Sequence, residues 1–135
     1  MSTSRRGTFA RQPGAGPRVA FVGPCGAGKS TIVLRLRELG WDARMPAQEH
    51  SGVPDMWRKL LKPDFLIALD APNEVLRKRR PGIGLSDAVL DEERRRLAHA
   101  LAHADFTLDT SVLSAEEVVR EVVGWLEARK KPPRP

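Results

Sequence analysis

Residues Arg18 to Leu39 read RVAFVGPCGAGKSTIVLRLREL, and the fold follows from them. Val19, Ala20, Phe21 and Val22 are a short apolar run that predicts a buried strand. A turn rich in glycine follows, and from Lys29 the apolar residues recur at helical spacing: Ile32, Val33, Leu36 and Leu39 are expected on one face, with Gly40 as the stop. Between strand and helix, Gly23-Pro24-Cys25-Gly26-Ala27-Gly28-Lys29-Ser30, followed by Thr31, matches the spacing G-x-x-x-x-G-K-S/T in full. Glycines let the backbone turn its N–H groups toward a bulky anion, and the helix N-terminus adds its partial positive charge. In such a loop the lysine reaches the β and γ phosphates and the Ser30 hydroxyl binds magnesium, so ATP and Mg2+ are the expected cofactors.

The chain has 135 residues and a formal net charge of +6. Seven of its 23 basic residues lie in residues 1–17 and 129–135, which hold no acid, leaving 16 basic residues against 17 acidic ones between them. The charge therefore belongs to the ends. Both ends are rich in Gly, Pro, Ser and Arg and are expected to be disordered tails flanking one domain, 18–128. Solvated tails explain this charge more simply than nucleic-acid binding does. No apolar run is long enough to span a membrane. The N-terminus lacks the apolar segment of a secretory signal, and the single cysteine fits a reducing, cytoplasmic setting.

Beyond the loop, GWDARMPAQEHSG (Gly40 to Gly52) reads as a short extended piece with an irregular, polar end, and Asp55 to Leu61 as a short helix. DFLIALDA (Asp64 to Ala71) is a buried strand ending in Asp70. Pro72 opens the helix PNEVLRKRR, and PGIGLS is expected to be a mobile loop with Gly82 and Gly84 as hinges. Ser86 or Asp87 caps a helix predicted to run to about His103, with Ala88, Leu90, Leu97, Ala98 and Leu101 as its apolar positions. DFTLDTS (Asp105 to Ser111) is the next strand. Ser114 and Glu117 form a capping box for a closing helix with Val118, Val122, Trp125 and Leu126 inward. Strands alternating with helices predict an α/β fold in three layers, a mostly parallel sheet of about four to five strands with ligands at the strands' carboxyl ends.

From Asp64 onward the sequence resembles the small P-loop kinases: nucleoside monophosphate kinases, dephospho-coenzyme A kinase, and the gluconate, shikimate and adenylylsulfate kinases. KPDFLIALDAPNEVLRKRRPG is similar to their strand and helix leading into an arginine-bearing lid, and HADFTLDTSVLSAEEVVREVVGWL to their last strand and closing helix. The resemblance implies a P-loop NTPase fold that transfers the γ-phosphoryl group of ATP to a small acceptor, nucleotide-like or hydroxyl-bearing. It implies that Asp109, Thr110 and Ser111 border the base and that Arg77, Arg80 and Arg94 are the lid arginines closing on the phosphate. About 33 residues separate Thr31 from Phe65, fewer than in those kinases, so the acceptor-binding region is shortened.

Two carboxylates compete for the second magnesium contact. As an acid ending an apolar strand, Asp70 would hold a metal-bound water; as the counterpart of the kinases' LD strand it would cap the following turn. Glu49 is then the better carboxylate, since the resemblance implies an acid near the end of an early strand beside acceptor and magnesium. His99 and His103 stand four apart without a third ligand, as on a helix surface. A nucleotide-sensing module, or an ATPase using the basic tails on nucleic acid, are the other classes the sequence allows.

Overall fold

The structure, a computed structural model, describes residues 16–24, 26–45 and 62–130. Cys25, Glu49 and the expected helix Asp55–Leu61 lie outside the described residues. Along the chain come β1 (Arg18–Val22), α1 (Lys29–Glu38), β2 (Asp42–Arg44), β3 (Phe65–Asp70), α2 (Asn73–Arg79), a 3-10 turn (Pro81–Ile83), α3 (Asp87–Arg96), α4 (Ala98–Ala102), β4 (Phe106–Asp109) and α5 (Ala115–Lys130). α5 thus continues two residues past position 128.

The described strands form one parallel sheet in the order β2-β1-β3-β4. Strand periodicity of two divides its side chains cleanly. Val19, Phe21, Ile67 and Leu69 face one side, where Ile32, Val33 and Leu36 of α1 meet Val118, Val122 and Leu126 of α5. Ala20, Val22, Leu66 and Ala68 face the other, against Ala100 of α4. Helices on both faces of a parallel sheet give the three layers expected. At the amino ends of the strands, Trp125 stacks on Phe106 at 5.2 Å and meets the edge of Phe65 at 5.3 Å, fastening α5 across β3 and β4.

Two local expectations differ from what forms. Leu39 is 62 % exposed, because α1 ends at Glu38 and Gly40, at φ +97°, turns the chain away from the helix axis. The helix expected from Ser86 to His103 breaks at Leu97 into α3 and α4. Leu90 packs on the α1 side of the sheet and Ala100 on the opposite side, and one straight helix cannot bury both; Ala88 and Ala98 are left exposed. Between Arg79 and Ser86 the chain folds into the 3-10 turn and then Gly84 at φ +68°, with Leu85 buried behind it.

Candidate phosphate-binding site

The carboxyl ends of β1, β3 and β4 and the N-terminus of α1 meet around the glycine-rich loop. Gly23 lies so close to β3 that a Cβ there would stand 2.0 Å from the Leu69 carbonyl oxygen. Gly26 and Gly28 hold φ of +92° and +101°, in the left-handed region that glycine enters without strain. The Ala27 N–H donates to the Pro24 carbonyl at 3.1 Å and closes the turn. No side chain caps α1 at Gly28 and its first turn carries no acid, so the helix's own first turn leaves its positive end uncompensated. Lys29 donates from Nζ to the Gly23 carbonyl, lying across the loop. Ser30 and Thr31 are exposed on the first turn.

Behind the loop stands a polar support. Arg79 Nη1 donates to the Gly26 carbonyl at 3.1 Å and to Thr110 Oγ1 at 2.9 Å, while Nη2 donates to the Thr110 carbonyl. Thr110 is only 3 % exposed; its hydroxyl lies 3.2 Å from the Ala27 carbonyl and 3.3 Å from that of Asp70. Its amide donates to the Asp70 carbonyl at 2.8 Å, consistent with Asp70 and Asp109 lying opposite each other in register. A hollow of about 210 Å³ opens here between Gly26, Gly28, Thr31, Arg79, Thr110 and Leu113. Asp109 turns back to accept from the Ser111 N–H at 2.8 Å; hydrogen bonds from Ser111 hold its carboxyl below the ordinary value, with Arg79 adding a smaller effect.

The other site residues are placed as follows. Asp70 has both carboxylate oxygens on Arg94 Nη1, at 2.6 and 2.7 Å, and one of them also accepts from the Ala71 N–H at 2.8 Å. Arg94 Nη2 spans the Ala71 carbonyl at 2.9 Å and Asn73 Oδ1 at 2.8 Å, so Arg94 binds α3 to the end of β3 and the start of α2. Arg77 pairs with Asp87, which is held below the ordinary carboxylate value first by that hydrogen bond and then by Asn73. The Arg80 side chain has no hydrogen-bond or ion-pair partner among the described residues, and its Cγ lies 3.5 Å from where a Gly26 Cβ would be. Arg95 and Arg96 both pair with Glu92 on the exposed side of α3. His99 and His103 stack at 4.3 Å on the surface of α4, and among the described residues no group of three metal-ligating side chains forms.

Arg79 is the residue that sequence reasoning passed over. The signal was present: Leu76 is the buried residue of α2, and positions three and four beyond it, Arg79 and Arg80, share its side of the helix, whereas Arg77 does not. 

No protein-family model and no curated protein matches this chain. Among solved structures it is similar to the YorR protein from Bacillus subtilis, described as a complex with phosphorylated GDP, with a TM-score of 0.61 and 14% identity over 82% of this chain and 96% of that one. The likeness is one of fold, an α/β arrangement with a parallel sheet consistent with that of the P-loop NTPases. Within it, β2 lies directly on β1 in parallel register, Arg18 opposite Asp42. Among the described residues no helix is long and apolar enough to cross a membrane.

Proposed function

We propose that the chain is a compact ATP-dependent phosphotransferase that holds Mg-ATP on the loop from Gly23 to Thr31 and passes the γ-phosphoryl group to a small nucleotide-like or hydroxyl-bearing acceptor. The observation that carries this reading is the full loop motif running from the end of β1 to the start of α1, with Arg80, whose side chain has no partner among the described residues, beside Gly26. Phosphoryl transfer spreads charge over the equatorial oxygens, and a cation aimed there contributes chiefly in the transition state. In this reading Lys29 leaves the Gly23 carbonyl for the β and γ phosphates, Arg80 meets the transferred group, and Thr110 and Ser111 flank the base. Arg77 would join only by leaving Asp87, and Arg94 stays with Asp70. Glu49 is proposed as the acid that orients or deprotonates the acceptor hydroxyl. The nucleotide named for the YorR complex supports a nucleotide as the ligand class.

Ser30 suits magnesium, an ion that keeps several waters and takes few protein ligands beside phosphate. Asp70, turned onto Arg94, serves the fold instead. Bound magnesium would neutralise the β and γ oxygens.

Calorimetry with Mg-ATP and a screen of acceptors with γ-labelled ATP test the proposal together. Lys29→Ala is expected to weaken ATP about tenfold or more, the loss of one charge-assisted contact. Arg80→Ala is expected to lower turnover more than affinity. Unchanged affinity in Lys29→Ala would remove the loop from the site. A second reading, a nucleotide-responsive module, draws on the shortened span before β3; it predicts ATP binding with no acceptor-dependent turnover in the screen.

A further inference from the structure

We infer that Asp70, Ala71 and Asn73 form a cation site whose resident cation is Arg94, and that α3 thereby closes the carboxylate at the end of β3 to metal. The inference concerns the chain without nucleotide and does not depend on the reaction proposed above. Four oxygens from residues 70–73 converge on one guanidinium: Asp70 Oδ1 and Oδ2 lie 2.6 and 2.7 Å from Nη1, and the Ala71 carbonyl and Asn73 Oδ1 lie 2.9 and 2.8 Å from Nη2. Pro72, at φ −60° and ψ 151°, joins them and opens α2 at Asn73. Carboxylate, backbone carbonyl and amide oxygen are the donor set by which proteins hold hard divalent cations. Here the set is filled from within the chain.

The occupant leaves Asp70 little to offer a metal. An ionised carboxylate has about four lone-pair sites. Three are taken, two by Arg94 and one by the Ala71 N–H, which donates to Oδ1 at 2.8 Å. A metal ion approaching the remaining one would meet the like charge of the guanidinium. Asn73 fixes the arrangement: while its Oδ1 accepts from Arg94, its Nδ2 donates to Asp87 at 3.1 Å and to Asp91 at 3.4 Å, so one amide is tied to three turns of α3. Docking of α3 and a metal at Asp70 therefore exclude each other. Asp70 ends the strand on which Gly23 packs, so Arg94 withholds from that end of the sheet the carboxylate a metal there would use.

Manganese, a paramagnetic divalent cation that also takes oxygen ligands, tests this in the full chain without nucleotide, through selective broadening of the Ala71 and Asn73 amide signals. In the unmodified chain these signals should broaden no more than those beside exposed acids elsewhere. Arg94→Met removes the charge and keeps an unbranched side chain, and it should open the site. The two amides should then broaden at about tenfold lower manganese, with a dissociation constant of about 10⁻⁴–10⁻³ M, the range of sites poor in ligand charge. Adding Asp70→Asn to Arg94→Met should abolish the gain. Arg94→Lys keeps a cation in place and should stay closed. Asp70→Asn alone should leave manganese binding as in the unmodified chain. Should the Met variant not fold, Arg94→Gln, which keeps an amide donor without the charge, carries the same expectation. Selective broadening at Ala71 and Asn73 in the unmodified chain would show metal entering with Arg94 in place and overturn the inference. A folded Arg94→Met or Arg94→Gln chain with no gain would show that these oxygens make no cation site and overturn it equally.

Discussion

Gly23 and Gly28 bracket the loop and are glycine for different reasons. At Gly23 the obstacle is space, the Leu69 carbonyl 2.0 Å from any Cβ; at Gly28 nothing lies within 4 Å, and only the φ of +101° excludes other residues. Gly28→Ala should therefore cost about 1–2 kcal/mol, the penalty of left-handed backbone. Gly23→Ala must push β1 and β3 apart as well and should cost about 1–3 kcal/mol more. Urea unfolding of the two variants checks the order. The loop was legible in the sequence because its motif fixes residue types at contiguous positions. The arginines were not, because four cations stand in a row from Arg77 to Arg80 and only the packing of Leu76 decides which of them turn inward. Arg94 shows the same limit: the chain places it near the lid, but its acceptor, Asp70, lies 24 residues away.

At the level of elements, caps and strands were readable and breaks were not. The capping box forms as expected, Glu117 N–H to Ser114 Oγ at 3.1 Å and Ser114 N–H to Glu117 Oε1 at 2.8 Å, because both partners are local. The break at Leu97 answers to the two faces of a sheet formed elsewhere, which no window of sequence contains. Within α5, Gly124 is exposed with nothing within 4 Å of a Cβ, so Gly124→Ala should stabilise the protein by about 0.5–1 kcal/mol, read as a higher urea midpoint. α1 and α5 are joined by Arg35 and Glu116 at 2.8 Å, and the hydrogen bond from Arg35 holds Glu116 below its ordinary value of 4.5. A lowered carboxyl stabilises the fold above its unfolded value and loses that contribution as pH falls through the folded one. The stability gap between the unmodified chain and Glu116→Gln should accordingly be present at neutral pH, close in acid and shrink in high salt, since the pair is exposed. Chemical unfolding across that range at low and high salt measures it.

For the whole molecule, the three-layer arrangement followed from strand and helix order, while strand adjacency required the structure. β2 beside β1 could not be read from a three-residue strand whose only apolar residue is Ala43. Packing of α5 closes the α1 side of the core through Val118, Val122 and Leu126. Leu126→Ala, removing a fully buried side chain at the far end of α5 from the loop, should cost about 2–5 kcal/mol and lower the urea midpoint while the remaining folded fraction keeps its ATP affinity.

The contact between Thr110 and Ala27 spans 83 positions of sequence. A chain emerging from the ribosome at roughly 5–20 residues per second exposes its loop about 4–17 s before the threonine that supports it has been made. No hairpin in the parallel sheet can bridge the interval: β1 finds β2 after 24 positions, Arg18 opposite Asp42, but its other neighbour, β3, only after 46, Val19 opposite Phe65, and β4 later still. A nascent chain therefore carries a complete phosphate motif well before it carries a supported one, and competence to bind nucleotide should arrive late and abruptly, with the synthesis of β4 and α5.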